Sequence, residues 1–129
     1  MEINFKQIKE VAVFMIDGEL LINNARAVVG FIREKGSGYN VCAVDLGSTS
    51  AIDTAGVQAL MHLKKNFLSR GKVLRLINHS PTVISFFDLY GLAPFFGDKI
   101  HVKSADMKKF AFAYGVRKSE ADENYVVSE

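Results

Sequence analysis

The sequence predicts an α/β domain, a mixed and mostly parallel sheet of about five strands packed with about four helices. Three observations predict it. Short runs of branched and aromatic residues alternate with segments whose apolar positions recur every three or four residues. Residues 39–46 are apolar almost throughout, as strands covered by helices on both faces are, rather than alternating. Glycine, serine or proline marks nearly every boundary, giving the order β-β-α-β-α-β-α-β-α. Short right-handed crossovers fold that order into a parallel sheet with one antiparallel edge strand.

Residues 3–8 and 11–16 read as two strands joined tightly at Lys9-Glu10, too close for a helix between them. After Asp17-Gly18, the positions Ile22, Ala25, Val29 and Ile32 form the apolar stripe of a helix that ends at Gly36-Ser37-Gly38. The buried strand 39–46 follows, then a loop by composition over 47–56. Val57, Leu60, Met61, Phe67 and Leu68 share the inward face of a second helix, stopped by Gly71. Residues 72–77 form a strand. Ser80 then caps a third helix with Pro81 at its first position, where the missing N–H costs nothing. Val83, Ile84, Phe87 and Tyr90 face inward and Gly91 ends the helix. A short strand over 100–102 and a helix over 104–114, striped by Met107, Phe110, Ala111 and Tyr114, complete a domain of residues 1–115. Residues 116–129 are expected to be a flexible acidic tail in which Tyr125-Val126-Val127 is the apolar segment able to dock.

Composition narrows the function. The 129 residues are 49% hydrophobic and 23% charged, which suits one self-supporting domain and argues against disorder or a disulfide-dense miniprotein. Cys42 alone allows no intrachain disulfide and fits a reducing compartment. The longest apolar runs, 11–16 and 27–32, fall far short of the roughly 20 residues that cross a bilayer. Glu2 and Lys6 interrupt any signal-type stretch, so no membrane span and a cytoplasmic location are expected. A net charge of +2, divided as +4 on residues 1–115 and −2 on the tail, is too balanced for a direct nucleic-acid binder.

Enzyme signatures do not emerge: there is no phosphate loop, Gly-x-Gly-x-x-Gly, His-Glu-x-x-His or Gly-x-Ser-x-Gly. His62, His79 and His101 fall on different elements, so neither a metal nor another cofactor is expected. Cys42 sits in a buried strand as a small hydrophobe. In Phe86-Phe87 and Phe95-Phe96 one ring of each pair can point into the core. Lys64, Lys65, Arg70 and Lys72 make a solvated basic cluster. Asp53-Thr54, at the mouth of the second helix, is the more informative place. Thr54 is expected to cap the helix and Asp53 to complement its positive end. The same exposed N–H groups stabilise a phosphate, so a hydroxyl there can become a switch.

Val44-Asp45-Leu46, Ile52-Asp53-Thr54-Ala55-Gly56-Val57, the run from Leu74 through Asn78-His79-Ser80-Pro81 to Val83, and Phe87-Asp88-Leu89-Tyr90-Gly91-Leu92 with Phe96 together resemble the STAS domain of bacterial anti-sigma-factor antagonists. The Asp-Gly-Glu-Leu turn, Asp17 to Leu20, belongs to the same likeness, which covers approximately residues 3–114. The resemblance implies a non-enzymatic switch that binds an anti-sigma-factor serine/threonine kinase while unphosphorylated and so releases a sigma factor. Phosphorylation by that kinase on the hydroxyl after the Asp turns the switch off, and a phosphatase restores it. Carried onto this chain, the acceptor is Thr54, and Asp53, Ala55, Gly56, Gln58, Asp17 and Glu19 are the implied partner-binding residues. Two departures stand out: Leu21 where the family often has an acid, and threonine in place of the usual serine. Threonine is more typical of scaffold-like STAS members, and STAS modules also serve as accessory subunits of lipid or anion transporters. A phosphotransfer receiver with Asp45 as acceptor is a further alternative, disfavoured because receivers need an acidic cluster after their first strand to hold Mg²⁺, whereas residues 17–21 offer only Asp17 and Glu19 and follow the second predicted strand.

Overall fold

The computed structural model describes residues 1–92 and, beyond them, the strand backbones 100–103, 116–118 and 124–127. Strands β1 (Glu2–Ile8) and β2 (Val11–Leu20) form the expected antiparallel hairpin, in register from Glu2 opposite Asp17 to Ile8 opposite Val11. Lys9, at φ 55°, makes the turn. Strand β3 (Val41–Asp45) lies parallel to the first half of β2, and β5 (Val73–Ile77) lies parallel to β3.

The fifth strand of this sheet is β4 (Thr49–Ile52), within the stretch that composition reads as loop. It pairs in parallel with Gly18, Glu19 and Leu20, because β2 does not stop at Ile16 but runs on through an irregularity between Gly18 and Glu19. Gly18 adopts φ 107°, a conformation that suits glycine. Four residues with a Ser-Ala centre carry little strand propensity. Tertiary contacts fix β4 instead: Thr49 and Ile52 are buried, and the Thr49 hydroxyl donates to the Ile16 carbonyl at 3.0 Å. The last strand of the sequence reading, β6 (Ile100–Lys103), is a strand but pairs elsewhere. It joins β8 (Asn124–Val127), which also pairs with β7 (Val116–Lys118), in a separate three-stranded antiparallel sheet.

Three helices occur among the described residues: α1 (Ala25–Lys35), α2 (Thr54–Ser69) and α3 (Pro81–Leu89). The helix expected over 104–114, and the Phe95-Phe96 pair, lie outside them. Ser80 caps α3 as expected: the Val83 N–H donates to its hydroxyl at 3.2 Å, and Pro81 follows at the first helical position. Gly71 (φ 72°) and Gly91 (φ 64°) stand just past the ends of α2 and α3 in the left-handed conformation of helix stops.

The core is continuous. Ala12, Phe14, Ile16 and Leu20 line one side of β2, joined by Cys42, Val44 and Leu46, by Leu74 and Leu76, and by the inner faces of the helices. Each such Leu, Ile or Phe contributes about 1.5–3 kcal/mol relative to exposure. Phe87 is fully buried while Phe86 is half-buried, as the paired rings predict. Three expected core positions are corrected. Ile22, Leu68 and Tyr90 are exposed, and Val28 and Leu63, outside the expected apolar stripes, are buried in the core. Ile22 departs because α1 starts only at Ala25, the preceding residues being folded into a turn.

Candidate functional site

The site is built where β4 ends and α2 begins. Strand pairing carries Ile52 alongside Leu20, and the Asp53 N–H reaches the Leu20 carbonyl at 3.4 Å. Asp53 is extended (φ −121°, ψ −176°), so its carboxylate can turn back over the first helical turn. The Gly56 N–H donates to Asp53 Oδ1 at 2.9 Å. This corrects the sequence expectation: Asp53 is the cap of α2, and Thr54 is the first helical residue. Capping requires an extended residue whose side chain reaches an N–H two or three positions on, and the backbone puts Asp53, not Thr54, in that conformation. Thr54 is therefore exposed at the positive end of a 16-residue helix.

The second oxygen of the same carboxylate is also used. The Ile22 N–H donates to Asp53 Oδ2 at 3.0 Å, tying the turn before α1 to the start of α2. Asn24 organises that turn from within: its side chain accepts from the Leu21 N–H at 2.9 Å and donates to the Glu19 carbonyl at 2.8 Å. Gly56 faces the same strand end. A Cβ added there would lie 2.3 Å from the Leu20 carbonyl oxygen and 2.9 Å from Ile52 Cγ1. The absence of a side chain thus lets α2 start against β2, and Gly56 is buried rather than offered to a partner.

The other implied residues are distributed around this corner. Gln58 is exposed one turn beyond Thr54, on the same side of the helix, and Ala55 is half-buried. Glu19 is exposed on β2 opposite Ala51, three residues before Thr54. Asp17 is exposed two residues earlier on β2, before the irregularity between Gly18 and Glu19. Sequence reasoning missed Ile22 and Asn24 as parts of the site. The Asn23-Asn24 pair immediately before Ala25 was the available signal, since asparagine favours helix starts.

Other chemistry-bearing residues are otherwise engaged. Asp45 accepts from the Gly47 N–H at 2.8 Å and from Asn78 Nδ2 at 3.0 Å, so both of its oxygens serve the loop. No group of three metal-ligating side chains occurs among the described residues. His62 is exposed on α2, and His79 is buried edge-on to Phe87. Burial pushes the Cys42 thiol up from the ordinary thiol range, with Lys72 pulling partly back. Lys72 itself donates to the Ser37 carbonyl. A groove of about 350 Å³ between the second half of α2 and the start of β5 includes neither Asp53 nor Thr54. Among the described residues no helix is long and apolar enough to cross a membrane.

The result is a small α/β module with an exposed hydroxyl, that of Thr54, at an aspartate-capped helix start. The chain belongs to the STAS domain family, whose profile matches residues 2–107. No curated protein matches it. Among solved structures it is similar to a putative anti-sigma factor antagonist from Thermotoga maritima, at 22% identity and a TM-score of 0.64, over 71% of this chain and 80% of that one. It is also similar to the anti-sigma factor antagonist SpoIIAA in its unphosphorylated form, at 21% identity and a TM-score of 0.60, over 72% and 84%. A third likeness is to the murine anion transporter Slc26a9, at 21% identity and a TM-score of 0.56, over 70% of this chain but 15% of the transporter. At these identities the likenesses show the fold.

Proposed function

We propose that the protein is an anti-sigma-factor antagonist: a non-enzymatic, cytoplasmic switch that binds an anti-sigma-factor serine/threonine kinase while Thr54 is unphosphorylated and thereby releases the sigma factor. Phosphorylation of Thr54 by that kinase ends binding, and a phosphatase restores it. The observation that carries this reading is the exposed Thr54 immediately after an Asp53 that already serves as the cap. A phosphate there adds about −1.5 to −2 charge units beside the Asp53 carboxylate and opposes any partner shaped for a neutral hydroxyl. A hundredfold loss of affinity needs about 2.7 kcal/mol, which one repelled and desolvated dianion supplies.

The test is affinity capture of the unmodified protein from its own cells with intact-mass analysis of the bait. A serine/threonine kinase partner, phosphate mapped to Thr54, binding lost in Thr54→Asp and retained in Thr54→Ala are the expected results; equal binding by the two variants counts against the switch. The likeness to part of an anion transporter favours a second reading, an accessory subunit of a lipid or anion transporter. Capture of a membrane transporter with Thr54 unmodified would decide for it.

A further inference from the structure

We propose that Ile22 is a second contact for the partner protein, presented beside Thr54 by the Asp53 carboxylate; this rests on the switch reading above. At 78% exposure Ile22 is the most exposed large apolar side chain among the described residues. Single exposed isoleucines are common, but this one sits on a backbone that is held. The Ile22 N–H donates to Asp53 Oδ2, and its neighbour Leu21 is bound through both its N–H and its carbonyl to Asn24. Because its backbone is already held, docking of this side chain orders less of the chain than docking of one on a mobile loop. Exposed polar residues adjoin this backbone and can serve as the rim of an interface: Asn23 follows Ile22 in the chain, Thr54 follows the Asp53 that holds it, and Glu19 and Arg26 lie three residues before and four after. The complementary partner surface is an apolar pocket bordered by a basic side chain that meets Glu19.

Asp53 is then a positioning residue rather than a contact. One oxygen holds the start of α2 through Gly56 and the other holds Ile22, so a phosphate on Thr54 adds charge next to the group that sets the second contact.

The test uses the full chain and the kinase recovered with the unmodified protein, expressed and purified on its own. Dissociation constants are measured for the wild type, Ile22→Val, Ile22→Ala, Asp53→Ser and the Ile22→Ala/Asp53→Ser pair. Serine preserves the helix cap but has one oxygen and cannot also reach Ile22. Ile22→Ala is expected to weaken binding about tenfold or more with an unchanged unfolding midpoint, and Ile22→Val to retain most of the affinity. Asp53→Ser is expected to weaken binding alone and to add little in the Ile22→Ala background. Equal affinity of wild type and Ile22→Ala, with Thr54→Asp still abolishing binding, overturns the inference and leaves the switch standing. Full additivity of Ile22→Ala and Asp53→Ser overturns the positioning role of Asp53. Absence of any kinase partner for the wild type overturns both readings.

Discussion

Replacing Gly56 by alanine tests whether α2 starts against β2 as closely as described. Helix propensity alone favours the change, since alanine is better than glycine inside a helix by about 0.5–1 kcal/mol. The contacts oppose it. The new Cβ would meet the Leu20 carbonyl oxygen at 2.3 Å, Ile52 Cγ1 at 2.9 Å and Leu20 Cγ at 3.1 Å. A carbon and a carbonyl oxygen rest about 3.3 Å apart, so α2 and the end of β2 must separate by roughly 1 Å. The carbonyl cannot simply rotate away, because it sits beside the paired Ile52 and accepts from the Asp53 N–H. Overpacking of this kind costs about 1–3 kcal/mol, and a clash with backbone belongs at the upper end. The net loss is about 2 kcal/mol, a fall in the unfolding midpoint of roughly 6–10 °C for a domain of this size. Gly30→Ala is the internal control: Gly30 lies within α1 with nothing inside 4 Å of the added Cβ. That variant should gain about 0.5–1 kcal/mol. Urea titration and thermal melting followed by far-ultraviolet circular dichroism measure both. A Gly56→Ala protein as stable as Gly30→Ala would refute the close approach of α2 to Leu20.

Ser80→Ala should lose about 1–3 kcal/mol in a urea titration, because the buried hydroxyl both accepts from the Val83 N–H and donates to the Thr49 carbonyl at 2.7 Å. Thr54→Ala should melt within about 0.5 kcal/mol of wild type, the hydroxyl being exposed and not the cap; a larger loss would assign it a structural role. Cys42 should resist iodoacetamide in the native protein and react rapidly in denaturant, since its thiol is buried and its pKa raised. The raised folded pKa means that stability held below the ordinary thiol value of 9.0 declines as pH rises past it, so Cys42→Ala should flatten that alkaline decline.

The sequence was most legible where local chemistry and tertiary context agree. Ser80-Pro81 and Gly91 bracket α3 because capping, a preset φ and a left-handed stop are properties of single residues. The core strand around Val44 could be read because burial on both faces removes polar alternation. Strand β4 was not legible: Thr49–Ile52 is a strand through pairing with residues some thirty positions earlier, which no local pattern records. Ile22 misled for a related reason. Its spacing from Ala25 is helical, but Asn24 and Asp53 hold residues 21–24 in a turn and leave the side chain outside. At the site, Asp53 and Thr54 were found together, while the assignment of the cap between them depended on backbone angles that composition does not carry.

That assignment governs what kind of switch the proposed phosphorylation can be. Had Thr54 been the cap, a phosphate on its hydroxyl would remove an acceptor the helix start depends on, and the modification would act by loosening α2. With Asp53 as cap, the Gly56 N–H keeps its partner when Thr54 is modified. The helix start can then survive phosphorylation, and the change is confined to charge and shape on the surface. On the proposed function, removing the phosphate would then restore the surface without refolding. Amide exchange at Gly56 distinguishes the two cases: protection should be similar in wild type and Thr54→Asp, and its loss in Thr54→Asp would mean that the acceptor and the helix start are not separate.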